Sequence, residues 1–153
     1  AKLGKDHPDV AQTYNNMANV YDDQGAYSKA LEYYQLALNI REAKLGKDHP
    51  DVAGTYNGMA LVYRNQGAYS KALEYFQLAL NIREAKLGKD HPDVATTYNN
   101  MAVVYYKQGD YSKALEYFQL ALNIRGAKLG AEHPSTNDVK ESIERVKSKL
   151  NDV

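Results

Sequence analysis

Leu3-Gly4-Lys5-Asp6-His7-Pro8-Asp9-Val10-Ala11 returns letter for letter as Leu45 to Ala53 and as Leu87 to Ala95, and a decayed copy begins at Leu129. The period is 42 residues. Self-similarity at a fixed period of this length marks a solenoid, in which each unit buries its apolar face only against its neighbours. Such a fold presents extended surfaces rather than a deep catalytic pocket.

The nonapeptide leads into Pro8 to Tyr21, where Val10, Tyr14, Met17, Ala18 and Tyr21 fall at helical spacing on one apolar stripe. Pro8 suits the first helical turn, where a missing N–H costs nothing. His7 before it is driven out of helical geometry. Gly25 supplies a left-handed residue that ends this helix. A second helix is predicted from about Tyr27 to about Lys44, buried through Ala30, Leu31, Tyr34, Ala37, Leu38 and Ile40 and closed by Gly46. Asp110 is a good N-cap for the third copy of this helix, whereas Ala26 and Ala68 are poor ones, at a cost of about 1 kcal/mol each. Two helices joined by so short a turn must pack antiparallel. The expected architecture is an all-α, right-handed α-solenoid forming a single array over residues 1–153. Its repeats span about 1–42, 43–84 and 85–126, and 127–153 form a capping segment. In that segment Val139, Ile143, Val146 and Leu150 form one face, while Lys140, Glu141, Glu144, Lys147 and Lys149 cover the other, as a cap requires.

Composition narrows the function. Lysine plus arginine and aspartate plus glutamate number 19 each, so no net field favours nucleic acid or an anionic membrane. No cysteine is present, which removes disulfides, thiol nucleophiles and zinc–thiolate sites. No apolar run reaches the roughly 18 residues of a membrane span, and no signal peptide is visible. A start in mid-loop at Ala1 suggests a fragment of a longer array, and a cytoplasmic location is the default expectation.

Helix, tight glycine turn and helix, with Tyr21, Gly25, Tyr27, Ala30, Tyr34 and Ala37 at these spacings, resembles a tetratricopeptide repeat. The pattern recurs at Tyr63, Gly67, Tyr69, Ala72, Phe76 and Ala79, and again at Tyr105, Gly109, Tyr111, Ala114, Phe118 and Ala121. The usual family period is 34, and the proline that normally follows the second helix is missing, with Glu42, Glu84 and Gly126 near that place. The extra residues Ala43 to Pro50, together with Asn-Asn-Met-Ala and Asn-Ile-Arg-Glu, resemble the 42-residue variety found in kinesin light chains and many bacterial proteins. The resemblance implies a scaffold that binds peptides or partner proteins on a concave face lined by the first helix of each repeat. No light-chain coiled coil accompanies it, so cargo transport is not implied.

Differences between the copies point to the same helix. They fall at Gln12/Gly54, Asn16/Gly58, Asn19/Leu61, Asp22/Arg64, Asp23/Asn65 and Tyr34/Phe76, with further changes at Thr96, Val103, Tyr106, Lys107, Asp110 and Gly126. At about 100° per residue, positions 12, 16, 19 and 23 share a stripe opposite the invariant apolar one. Free drift of exposed positions is the simpler explanation. Yet Ser28, Lys29, Glu32, Gln35 and Asn39 of the second helix, also expected to be exposed, never change. The candidate peptide-binding residues are Gln12, Asn15, Asn19, Asp22, Asp23, Asn57, Leu61, Arg64, Asn65, Asn99, Val103, Tyr106 and Lys107. Asn15, Asn57 and Asn99 are invariant and could hold a peptide backbone through their amides, or bond neighbouring repeats to each other. Tyr106 replaces Asp22 and Arg64 and suits an aromatic anchor.

His7, His49, His91 and His133 form no metal ladder. Zinc ligands lie about 2.0–2.1 Å from one ion, whereas copies one repeat apart are separated by about 10 Å or more. A structural role at the helix start is expected instead. The 14 tyrosines recur mostly at core spacing, and Asp22-Asp23 reads as a solvated pair. No Ser–His–Asp order or phosphate-cradling glycine loop occurs, so no enzyme activity, cofactor or metal is expected. The alternative function is an array element, natural or engineered, without a dedicated ligand. It would self-associate as a weak homodimer through an uncapped N-terminal end offering Val10, Tyr14, Met17 and Tyr21.

Overall fold

The computed structural model describes residues 4, 5 and 7–152; the expected starting loop at Ala1–Leu3 lies outside them. Among these residues the regular structure is entirely helical: α1 Pro8–Asp23, α2 Tyr27–Leu45, α3 Pro50–Asn65, α4 Tyr69–Leu87, α5 Pro92–Gln108, α6 Tyr111–Leu129 and α7 Pro134–Asn151. The chain divides into two compact units, Ala1–Ile82 and Arg83–Val153.

The histidines start the helices. His7, His49, His91 and His133 are extended N-caps, with ψ of 140–141°. Each Nδ1 accepts from a backbone N–H two residues on, at 3.0 Å from Asp9, Asp51 and Asp93 and 3.1 Å from Ser135. An imidazole lone pair thus satisfies one orphan donor of the first turn. Left-handed Gly25, Gly67 and Gly109, with φ of 77°, 81° and 83°, turn the chain into the second helix. Asp110 accepts from the N–H of Lys113 at 3.2 Å, while Ala26 offers no side-chain cap.

In the first unit, Ala18, Ala30, Tyr34, Leu38, Val52, Ala53, Met59, Val62, Ala79 and Ile82 form one core, with Tyr21, Tyr33, Tyr56 and Tyr75 packed against it. Alanines on α1 and α2 let the backbones approach, and tyrosines fill the seam. Tyr33 lies tilted on Tyr14 at 5.8 Å and stacked on Tyr21 at 5.3 Å. Tyr75 repeats the arrangement with Tyr56 and Tyr63. In the second unit, Tyr117 does the same between Tyr98 and Tyr105. There α7 packs on α6, and Val139, Ile143 and Val146 on the face its patterning marks as apolar are fully or almost fully buried.

A buried arginine ties successive repeats together. Arg41, 6% exposed, donates from Nη1 to Thr55 Oγ1 at 2.7 Å. Its Nη2 donates to Gln12 Oε1 at 2.8 Å. Arg83 meets Thr97 Oγ1 at 2.8 Å. Burial lowers the pKa of Arg41, Arg83 and Arg125 below the usual guanidinium range, and Asp51, Asp93 and Asp138 respectively pull it back. A second link joins Tyr56 to Glu42 at 3.2 Å and Tyr98 to Glu84 at 3.1 Å, the hydroxyl donating in each case.

Candidate functional site

The first helices place the candidate residues on partly open faces, and several are already occupied by internal bonds. On α1, Gln12 accepts from Arg41, and Asn15 Oδ1 lies 3.4 Å from the same guanidinium. Asn19 Oδ1 accepts from the Tyr34 hydroxyl. Burial, followed by Asp22 and Asp23, pushes the Tyr34 phenol up to about 12. Asp22 accepts from the Asn65 amide at 3.1 and 3.2 Å, and its charge acts on Arg64, whose pKa burial lowers. Asp23 is exposed. On α3, Asn57 is engaged by another group, and Leu61 is half-buried. On α5, Asn99, Val103 and Tyr106 are half-buried and Lys107 is exposed.

Helix α5 brings candidates together around a concavity. Val103, Tyr106 and Lys107 line a cavity of about 440 Å³ shared with residues of α6 and α7. Tyr106 stands edge-on to Tyr111 at 5.3 Å and 60°. This is the position that sequence comparison marked as an aromatic intruder among charged counterparts. The α7 residues of the cavity escaped that comparison. Counting one period on from Val103 and Lys107 finds two of them, Arg145 and Lys149.

Part of the variation between copies has an internal cause. Where repeat one pairs Tyr34 with Asn19, repeats two and three carry phenylalanine with Leu61 or Val103. Gly58 is small because a Cβ there would lie 2.6 Å from Tyr34 Cε1. Glu42 and Glu84 face tyrosines, but Gly126 removes the carboxylate where Lys140 replaces the tyrosine and donates to the Ala131 carbonyl at 3.0 Å. The invariant second-helix residues are not idle either. Lys29, Lys71 and Lys113 sit 5.6 Å over Tyr21, Tyr63 and Tyr105. Gln35, Gln77 and Gln119 donate to Asn39, Asn81 and Asn123 one turn on. Exposure without drift therefore has a local explanation, and those residues do not serve as a free control for the first helix.

Of the residues expected at a self-associating end, Tyr14 and Tyr21 pack on Tyr33 of their own helix pair. Val10 packs on Ala11, Ala37 and Ile40, and Met17 is half-buried. The outward apolar residue on α1 is Val20, 54% exposed, whereas Val62 and Val104 are fully buried. Its place on the stripe of Thr13 and Met17 was the available signal. Among the described residues no cluster of three metal-ligating side chains occurs and no helix is long and apolar enough to cross a membrane.

Tetratricopeptide repeat family models match residues 10–51 and 51–127. The chain belongs to the tetratricopeptide repeat family. Its fold is similar to a Podosopora anserina protein described as kinesin light chain-like with nearly identical repeats, at TM-score 0.82 and 22% identity over 95% of this chain and 69% of that one. It is also similar to BtubC (BKLC) from P. vanneervenii, at TM-score 0.74 and 26% identity over 98% and 68% of the two chains. The N-terminal domain of stress-induced protein-1 from C. elegans shares the fold at TM-score 0.67 and 16% identity over 92% and 96%. No curated protein sequence matched the chain. The all-helical, tetratricopeptide-type helix pairs expected from the period are found. Tetratricopeptide repeats generally mediate protein–protein interactions and are generally non-catalytic.

Proposed function

We propose that this tetratricopeptide chain binds peptide segments of partner proteins on the open faces of its first helices α1, α3 and α5. The observation that carries this reading is the cavity beside α5, where Val103, Tyr106 and Lys107 meet around about 440 Å³. That volume falls in the range of roughly 300–1,000 Å³ usual for ligand sites. A half-buried aromatic beside a flexible cation can anchor a side chain and hold its polar neighbour. Asn15, Asn57 and Asn99 carry amides, whose donors and acceptors are of a kind that suits an extended backbone, whereas Gln12, Asn19 and Asn65 are bonded within the chain and flank them. Asp22, Asp23, Leu61 and Arg64 add charged and apolar groups on α1 and α3. No cofactor, metal, nucleic acid or membrane enters this function, and cytoplasmic residence fits it.

Selection from a peptide library against the whole chain tests the proposal, with Asn57→Ala combined with Asn99→Ala as the comparison. Selected peptides should bind at micromolar Kd and lose affinity to the double variant while the helical signal is kept. Equal binding to both proteins would make the amides structural.

Val20 favours a second reading. Its copies Val62 and Val104 are wholly buried while it is 54% exposed, so the α1 face is suited to receive another helix, including one from a second copy. Val10, Tyr14, Met17 and Tyr21 would support such a contact from beneath. Sedimentation at millimolar protein tests it, and Val20→Lys should shift any dimer to monomer.

A further inference from the structure

We propose that Tyr56 and Tyr98 are one-electron donor sites, each fed by a short stack of tyrosines and each passing its phenolic proton to a glutamate. The substrate class is a one-electron oxidant, such as a peroxyl radical or a high-valent metal complex. The inference stands independently of the peptide-binding reading.

Removing an electron from a phenol without moving its proton leaves a radical cation. Passing the proton to a base in the same step leaves a neutral radical, at far lower cost. A base already hydrogen-bonded to the hydroxyl therefore selects which tyrosine gives up the electron. Tyr56 donates to Glu42 Oε1 at 3.2 Å, and Tyr98 to Glu84 Oε1 at 3.1 Å. Among the described residues these are the phenols bonded to a carboxylate. Burial, followed by Glu84, pushes the Tyr98 phenol up to about 12, and burial with Glu42 raises that of Tyr56. Both hydroxyls thus keep their protons at neutral pH until the electron leaves. In the step the electron passes to the oxidant, the phenolic O–H bond breaks, and an O–H bond forms on the glutamate oxygen. The products are a neutral tyrosyl radical, a carboxylic acid and the oxidant reduced by one electron. An ascorbate-type reductant returns the electron, and the glutamate returns the proton.

The stacks give the electron hole a direction. Tyr75 lies between Tyr63 and Tyr56, at ring distances of 5.3 and 5.9 Å. Tyr117 lies between Tyr105 and Tyr98, at 5.2 and 5.8 Å. Hydrogen bonds join Tyr75 to Tyr63 and Tyr117 to Tyr105. At the far end of each stack, Lys71 and Lys113 sit 5.6 Å over Tyr63 and Tyr105. An ammonium over the ring opposes positive charge there, while a carboxylate at the other end accepts the proton that a hole releases. The hole runs from the lysine-covered ring through the middle ring to the glutamate-bonded one. Repeat one is an internal comparison. Tyr21, Tyr33 and Tyr14 stack in the same way beside Lys29, but Tyr14 bonds to no carboxylate among the described residues. Packing is served by all three stacks, and the base is present in two.

The test oxidises the whole chain with a photogenerated ruthenium(III) complex, a cobalt(III) salt having taken the electron from its excited state. Transient absorption follows tyrosyl formation, and a nitroso spin trap with peptide mass spectrometry locates the radicals. Trapping should concentrate on Tyr56 and Tyr98 and leave Tyr14 near background, a comparison that needs no variant. Formation should slow in deuterium oxide, because the proton moves with the electron. Glu42→Gln with Glu84→Gln keeps an acceptor of the same shape but removes the base. It should slow radical formation about tenfold or more while the helical signal is kept. Tyr75→Phe with Tyr117→Phe keeps the rings but interrupts the relay, and should move trapping to Tyr63 and Tyr105. Trapping spread alike over Tyr14, Tyr56 and Tyr98, or a rate unchanged by the glutamine pair, would overturn the inference. Trapping unchanged by the phenylalanine pair would overturn the relay.

Discussion

Thr136→Val should stabilise the array. Thr136 is fully buried, and its Oγ1 has no hydrogen-bond partner among the described residues. One and two periods earlier stand Val94 and Val52, also fully buried. The capping segment has exchanged the two residue types, because Val139 stands where Thr55 and Thr97 receive their arginines. Arg125 is left with the Ser135 carbonyl at 3.3 Å and Thr96 Oγ1 at 3.4 Å. An unpaired buried hydroxyl costs about 1–3 kcal/mol, and threonine and valine differ little in helix propensity. The substitution should therefore gain about 1–3 kcal/mol. Thermal melting of a chain this size should shift upward by about 2–12 °C. Nearest-neighbour coupling confines the gain to α6 and α7, so hydrogen exchange should slow there first. Adding Val139→Thr should return to Arg125 the hydroxyl that Arg41 and Arg83 use at 2.7 and 2.8 Å, a charge-assisted bond of about 1.5–3 kcal/mol. Urea melts of the wild type and of the single and double variants measure both steps. A Thr136→Val protein no more stable than the wild type would refute the reasoning.

Two glycines one turn apart should respond oppositely to alanine. Gly58→Ala drives Cβ into the Tyr34 ring and should cost about 1–3 kcal/mol, whereas Gly54→Ala meets no atom within 4 Å and should gain about 0.5–1 kcal/mol; urea melts compare them. The array should also lose stability in alkali. The phenols of Tyr34 and Tyr98 are raised to about 12 by burial and, respectively, by the Asp22–Asp23 and Glu84 carboxylates. The unfolded chain sheds these protons from about pH 10 while the folded chain holds them, so stability present below pH 10 falls as pH rises towards 12. For the buried Tyr34 the loss across that window is on the order of 2–3 kcal/mol. Tyr34→Phe should flatten the fall, as followed by tyrosinate absorbance and denaturant melts. His91→Ala removes the acceptor for the Asp93 N–H and should cost about 1 kcal/mol in the same melts.

The helices were legible because the period sets prolines and glycines at fixed places. The second helix expected from Tyr27 to Lys44 runs from Tyr27 to Leu45, and Gly25 has the positive φ assigned to it. Side-chain partners were less so. Arg41 lies 29 residues from Gln12 and 14 from Thr55, and its burial depends on how helices approach rather than on periodicity. The joint change of Glu42 and Glu84 to Gly126 with Tyr56 and Tyr98 to Lys140 was a readable trace of contact. Reading differences as solvent-facing concealed it. The candidate site was legible on α5 through Tyr106. It was hidden on α7 because Arg145 and Lys149 blend into a charged face.

The central claim is that the first helices bind peptides. Backbone NMR shift mapping with a library-selected peptide tests it most directly. The account predicts perturbations clustered on α1, α3 and α5, strongest around Val103, Tyr106 and Lys107. Perturbations clustered on the exposed faces of α2, α4 and α6, around Leu36, Leu78 and Leu120, would contradict it.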